Sequence, residues 1–405
     1  MKNIFNTYLV KPQSSKQRGF SLIELMVGLI IGLLMSLVVY NVLNVNEGRK
    51  RTTTSLNDIN QAGSYAIYQL DKQIRSAGSG FTGGGDQIGA NFTYGCRLDM
   101  ALSGSQLTPA ASFPAPFNAV NGVVRVAPVI IFDGAAGAGG DVIVTMAGTA
   151  GLGELPSAFS SPATAATLQL VNQAGMRAND VLLLADHTAT NISPCLMQQV
   201  ASTFTPVANG SAVPLLGAYN SASVNGTSAT SFTATAQAVN LGQAPNLNMF
   251  AVAANGSNFN LMKYDLMQPV NAGSAAPNPA IYVDGVYQIH ALYGVDTNPT
   301  TSTLTWVAPT GAFSAVNLLN GSLAANAALQ RIRAIKIGVV MRTSLLEREA
   351  VSGGPAHAVS NTTLTLFSDS VPVTVNLNPT TYRYRAFEAA VPLRNTLVLS
   401  GALGN

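Results

Sequence analysis

Residues 20–45 read FSLIELMVGLIIGLLMSLVVYNVLNV, an apolar stretch in which Glu24 is the only charged side chain. A helix of about 20 apolar residues crosses the hydrocarbon of a bilayer. The stretch therefore predicts one membrane-crossing helix, with the long remainder of the chain on one side of it. A carboxylate near the start of such a helix is costly in lipid and points to a functional role for that group.

The segment before the helix is unlike an ordinary secretory signal, whose small-residue cleavage site follows the apolar run. Here Arg18 and Gly19 stand immediately in front of Phe20. Cleavage after Gly19 would release residues 1–19 and leave the anchor in place. That leader carries Lys2, Lys11, Lys16 and Arg18 and no acid, so the formal charge of +3 less 4 leaves −1. The basic balance belongs to the leader and gives no sign of nucleic-acid binding. Arg49, Lys50 and Arg51 follow the apolar stretch closely, so the bias of basic residues says little about orientation. Gly28, Gly32 and Ser36 recur every four residues on one helical face and permit close helix–helix approach.

The string GFSLIELM resembles the processing motif of type IV prepilins. That resemblance implies cleavage after Gly19 by a prepilin peptidase and methylation of the new Phe20 amine by the same peptidase/methyltransferase. It implies an assembly role for Glu24, fifth residue of the mature chain, pairing with the Phe amine of a neighbouring subunit in a filament.

Beyond residue 45 the pattern stays helical and turns amphipathic. Leu56, Ile59, Gly63, Ala66, Ile67, Leu70 and Ile74 form one stripe, and Gly78, Gly80 and Gly83–Gly85 end it. The organisation is then a leader at 1–19, a transmembrane part of the helix at 20–45, an amphipathic part at 46–78, and a β-rich body at 79–405. In the body, β-like runs separated by turn clusters predict strands at Val123–Ile131, Asp141–Met146, Val181–Asp186, Asn248–Ala253, Phe259–Tyr264 and Tyr287–Val295. Further strands are predicted at Thr303–Val307, Arg331–Arg342, Thr363–Phe367, Val371–Val375 and Tyr382–Val391, with a short helix at 322–330. The stretches 134–140, 208–236 and 270–279 read as loops or insertions. In the strand at 331–342, Ile335, Ile337, Val339 and Met341 alternate with Lys336, Gly338, Val340 and Arg342, as in a half-buried strand.

KYDLMQPV (263–270), IHALYGVD (289–296) and YRYRAFEAAVPLRN (382–395) together resemble the PilW family of minor type IV pilins. The resemblance implies an α+β pilin fold, with a long N-terminal transmembrane and amphipathic helix packed on an antiparallel β-rich C-terminal domain. It implies a minor pilin that takes part in pilus assembly, priming polymerisation and sitting at the tip, with twitching motility and adhesion as outcomes. The implied partners are other minor pilins (PilV, PilX, FimU and PilE types), the major pilin and a PilY-type tip adhesin. The implied location is the inner membrane of a Gram-negative bacterium, single-pass with the body in the periplasm, and then the pilus. A GspJ-like minor pseudopilin of type II secretion shares the leader, helix and fold and is the alternative. A membrane-anchored periplasmic enzyme is the alternative of another class.

The chemistry-bearing residues are sparse. Cys96 and Cys195 share no metal-type spacing; in an exported chain they most simply pair as a disulfide, the alternative being two buried free thiols. His187, His290 and His357 are widely separated, and no nucleophile, zinc or phosphate-loop motif accompanies them. Asp133 and Asp141 flank GAAGAGG without the residue order of a calcium loop, which favours a hairpin. Arginines beside tyrosines at 382–385 raise a DNA-binding reading, but interleaved acids favour a solvated face or a partner contact. The sequence therefore calls for no catalytic residue, metal or cofactor.

Overall fold

The computed structural model describes residues 19–81, 93–151, 156–188, 191–207, 210–255, 258–268, 278–297, 303–346 and 360–395. The predicted leader up to residue 18, Gly83–Gly85 and His357 lie outside the described residues, as does the side chain of His187. The described residues begin with one long α-helix, α1 (Leu22–Ser76). The structure divides into two units, with a boundary at Thr53/Thr54 within α1, and each is described by itself.

In the first unit α1 is apolar on every side from Leu22 to Val45, and its leucines, isoleucines and valines stand exposed. The helix is long and apolar enough to cross a membrane. A side chain at Gly28 or Gly32 would meet none of the described residues within 4 Å.

The second unit begins with the amphipathic part of α1. Its buried positions are Ser55, Ile59, Gly63, Ala66, Leu70 and Ile74. Leu56 and Ile67, which the stripe includes, are half-buried at its margins. The helix stops where predicted: Gly78 follows with φ +84° and Gly80 with φ +75°, both favouring glycine.

The regular structure of the body is mostly strand. Its first part holds β1 (Leu98–Leu102), β2 (Ser105–Thr108), β3 (Val129–Phe132), β4 (Val142–Ala147), β5 (Ser157–Ser161), β6 (Thr167–Leu170) and β7 (Val181–Ala185). There follow β8 (His187–Thr188), β9 (Asn191–Ile192), β10 (Cys195–Gln199), β11 (Ala212–Pro214), β12 (Gln237–Gly242), β13 (Asn246–Asn255), β14 (Asn258–Asp265) and β15 (Ala280–Asp284). The last third holds β16 (Val286–Asp296), β17 (Leu304–Val307), α2 (Ala315–Leu318), α3 (Leu323–Gln330), β18 (Ile332–Arg342), β19 (Thr363–Leu366), β20 (Val373–Asn376) and β21 (Tyr384–Pro392).

Three larger sheets result: β11-β6-β5-β12-β7-β10-β1-β2, β15-β14-β13-β4-β3 and β17-β16-β18-β21, plus the hairpins β19-β20 and β8-β9. The pairing is antiparallel apart from β1 with β10, where Leu98 faces Cys195 in parallel register. The eight-stranded sheet is covered on both sides. Val181, Leu183 and Ala185 of β7 enter the main core with α1, while Leu182 and Leu184 enter a second core with Leu168, Leu196 and Val213. This is why VLLLA shows no polar alternation.

The predicted strand at Val123–Ile131 is shorter than expected. Pro128 lacks the N–H a ladder needs, so only Val129–Phe132 is strand, and Val126 and Val124 instead bond Cys96 and Leu98 one residue pair at a time. The eight-stranded sheet was largely illegible because its strands are short and rich in Ser, Ala, Gln and Asn. Asn240 of β12 shows how such a strand stays buried: its Nδ2 donates to Asp180 at 2.7 Å. The half-buried reading of β18 is also corrected. Its second face is covered by the β19-β20 hairpin, whose Leu366, Phe367, Val375 and Leu377 pack with Val340, Leu292 and Tyr287. Gly338 makes this possible, since a side chain there would lie 2.8 Å from the Phe367 ring.

Candidate functional site

At the helix start, Gly19 and Phe20 are exposed and Glu24 lies in the first turn of α1. The Glu24 and Leu25 amides both donate to the Ser21 carbonyl, which sets the carboxylate one turn into the helix. Among the described residues no cation is paired with it. A carboxylate on an apolar helix with no internal partner suits a charge supplied by another molecule. The helix N-terminus itself favours an acid at this position.

The other end of α1 is held by the closing YRYRAFEAAVPLRN segment, and this is where that segment acquires its meaning. Phe387 of β21 lays its ring on Gly63: a Cβ at residue 63 would lie 2.2 Å from Cε2 and 2.5 Å from Cζ. Two residues earlier, Arg385 donates to the Asn60 side chain at 2.6 Å. At the end, Asn395 donates to the carbonyls of Ser76 and Ala77, both at 3.0 Å, and so satisfies two acceptors at the helix C-terminus. The five-stranded sheet grips the same helix through Tyr282, whose hydroxyl donates to Gln69 at 2.9 Å, and Asn248, which donates to Gln73 at 3.4 Å.

The YGVD string is structural. Tyr293 is fully buried, and its hydroxyl accepts the Ile131 N–H at 2.6 Å, serving an otherwise open edge of β3. Burial pushes this phenol, like that of Tyr94, above its ordinary value, although Arg333 opposes the shift at Tyr94. Gly294 lies under Trp306, whose ring a Cβ would approach to 2.9 Å.

Of the basic residues in the last third, Arg331 and Arg385 are exposed, as a solvated face or partner contact requires, whereas two on β18 are covered. Arg342 is buried, with its guanidinium 4.3 Å from the Tyr382 ring centroid and 4.5 Å from that of Phe259. Lys336 is also buried and pairs with Asp369 and, at 3.2 Å, with Ser370, beside the Trp306 and Phe367 rings. Glu388 accepts the Phe367 N–H at 2.9 Å, so β21 binds α1 on one side and the hairpin on the other.

Cys96 and Cys195 form a disulfide at the start of the parallel β1–β10 pair, closing a separation of 99 residues. Next to it Arg97 makes two 2.8 Å bonds to the fully buried Asp99, which Thr227 also contacts at 2.6 Å.

Asp141 is fully occupied. It accepts from Gly134 at 3.0 Å and Ala291 at 2.9 Å and faces His290 at 3.4 Å. Asp133, flanking the same β3–β4 turn, has its carboxyl pushed up by burial and by Asp141, with His290 opposing. The stretch 134–140 is thus a hairpin connection, and among the described residues no cluster suited to a metal is present. His290 sits in the middle of β16, whereas the plain structural expectation from sequence is a strand end or loop, and Asp186 accepts from Thr233 and Thr235. The sequence missed Asn60, Gly63, Phe387 and Asn395 as a working set. The only signal was Gly63 inside the apolar stripe, where a glycine otherwise weakens a helix.

Residues 249–395 match the family described as Type IV Pilus-assembly protein W, and residues 14–40 match the prokaryotic N-terminal methylation motif. The first match runs from β13 to the helix-capping Asn395; the second ends within the apolar part of α1. The eight-stranded sheet lies outside both. No curated protein and no solved structure matches the chain.

Proposed function

Because the chain matches a PilW-type pilin at its N-terminal motif and over its last third, we propose that it is a minor pilin that primes type IV pilus polymerisation and then sits at the pilus tip. The observation that carries this is an exposed apolar helix with one carboxylate, Glu24, in its first turn. A prepilin peptidase/methyltransferase removes residues 1–19 and methylates the Phe20 amine. The chain then waits in the inner membrane with its body in the periplasm.

In the assembling filament Glu24 pairs with the Phe20 amine of a neighbouring subunit, and Gly28, Gly32 and Ser36 let adjoining helices approach. A mis-set subunit leaves a charge bare among apolar helices, which penalises the wrong register. Other minor pilins of the PilV, PilX, FimU and PilE types, the major pilin and a PilY-type adhesin are the partners, with twitching motility and adhesion as outcomes. The work is binding and packing, and no catalysis is assigned. The match at residues 249–395 supports this reading over a GspJ-like pseudopilin.

A clean deletion tests it: surface pili fall sharply or vanish, and normal piliation would refute the priming role. Glu24→Val is processed but enters filaments poorly, whereas Gly19→Ser retains the leader. Incorporation of Glu24→Val at the wild-type level would refute the pairing.

A further inference from the structure

Loss of the leader inverts the charge pattern around the apolar helix. The uncleaved chain carries Lys2, Lys11, Lys16 and Arg18 ahead of it. The mature chain keeps only the Phe20 amine and Glu24 at that end, which cancel. Its cations then follow the apolar segment as Arg49, Lys50 and Arg51, with Glu47 the one acid beside them. All three lie on α1 within the first unit and are exposed. Among the described residues none of them is ion-paired.

Their depth and their arrangement both matter. From Leu22 to Val45 the helix rises roughly 35 Å at 1.5 Å per residue, slightly more than the ~30 Å of hydrocarbon in a bilayer. Arg49–Arg51 stand about 6–9 Å further along, at the level of lipid phosphates, which long basic side chains can reach from either side. Successive helical residues are turned by about 100°, so three in a row cover more than half of the circumference. A contact for one protein partner would fall on a single stripe, whereas a collar suits a surface that surrounds the helix.

We propose that Arg49, Lys50 and Arg51 form a cationic collar that binds anionic phospholipid headgroups in the leaflet opposite the leader, fixing the depth of the helix until the subunit is drawn out. This rests on the membrane-anchored reading above. It also gives the leader a second role. Its four basic residues oppose the collar while the helix is being inserted, and their removal leaves the far side as the only cationic end.

The test uses the full mature chain in non-ionic detergent, with phosphatidylglycerol or phosphatidylcholine added and bound lipid counted by native mass spectrometry. Phosphatidylglycerol is preferred on the order of tenfold at low salt, and the preference weakens as salt rises. The triple variant R49Q/K50Q/R51Q loses the preference, while Lys72→Gln, exposed near the far end of α1, keeps it. An unchanged preference in the triple variant overturns the proposal. So does a triple variant that keeps the preference and instead loses co-purifying pilins, which would make the segment a protein contact. Fractionation separates the two readings: wild-type chain found outside the membrane fraction refutes the anchor itself, whatever the lipid counts show.

Discussion

Adding a single methyl group at Gly63 tests whether the last strand is what seats the helix. On its own, Gly→Ala inside a helix is favourable by about 1 kcal/mol. Here the new Cβ would lie 2.2–2.5 Å from three Phe387 ring atoms, against roughly 3.5–4.0 Å for carbon atoms in contact. The ring must retreat by more than 1 Å, and overpacking of this kind costs about 1–3 kcal/mol. Gly63→Ala is therefore expected to destabilise the chain by up to about 2 kcal/mol despite its better helix propensity. In a Phe387→Ala background the clash is gone, and the same change should stabilise by about 1 kcal/mol. The sign reversal is the signature. Urea unfolding of the full chain in micelles, followed through Trp306, the only tryptophan, measures all four corners of the cycle. Additive effects within about 0.5 kcal/mol would show that the ring does not rest on the helix, and the docking account would fail.

Three further outcomes are expected. Cys195→Ser should cost about 2–5 kcal/mol, because the lost bond closes a loop of 99 residues; two titratable thiols in native wild-type material would contradict the pairing. Asp99→Asn should cost about 3 kcal/mol by leaving Arg97 without its buried partner, a loss visible in the same urea titration and refuted by wild-type stability. The Lys336 ammonium holds the Asp369 carboxyl below its ordinary value of 3.8. A depressed carboxyl lends stability above that ordinary value and loses it as pH falls through the folded value. The protection of β19-β20 amides, taken relative to the intrinsic exchange rate at each pH, should therefore fall on acidification in the wild type, with a smaller pH dependence in Asp369→Asn; identical protection profiles would remove this contact as a source of stability.

The parts of the fold that could be read from sequence were those with a strong period. The helix from Leu22 to Ser76, its glycine stop, and the long strands β13, β14, β16, β18 and β21 all carry unbroken apolar or alternating patterns. In the eight-stranded sheet β7 does as well, but most of its other strands do not. SAFSS and TLQL are too short and too polar to stand out, and they are buried by neighbours far away in the chain. The outer face of β18 misled for a different reason. Its lysine and arginine look solvated in sequence, and only the later hairpin at 363–376 and the rings of Phe259 and Tyr382 reveal them as covered. Glu24 was legible because it violates a rule that membrane helices obey. The Asn60, Gly63, Phe387 and Asn395 set was not, because contacts across more than 300 residues leave no local trace.

That separation also orders events in time. A chain delivered across a membrane from its N-terminus presents the helix long before β21. Until the final strand arrives, Gly63 has no ring above it, Asn60 has no arginine, and the carbonyls of Ser76 and Ala77 lack the Asn395 amide. A chain stopped before β21 would keep its apolar helix and most of its sheets but lose this clasp on the helix. The seat of the helix is therefore complete only once the segment up to Asn395 has folded onto residues 60–77, contacts that span more than 300 residues of chain.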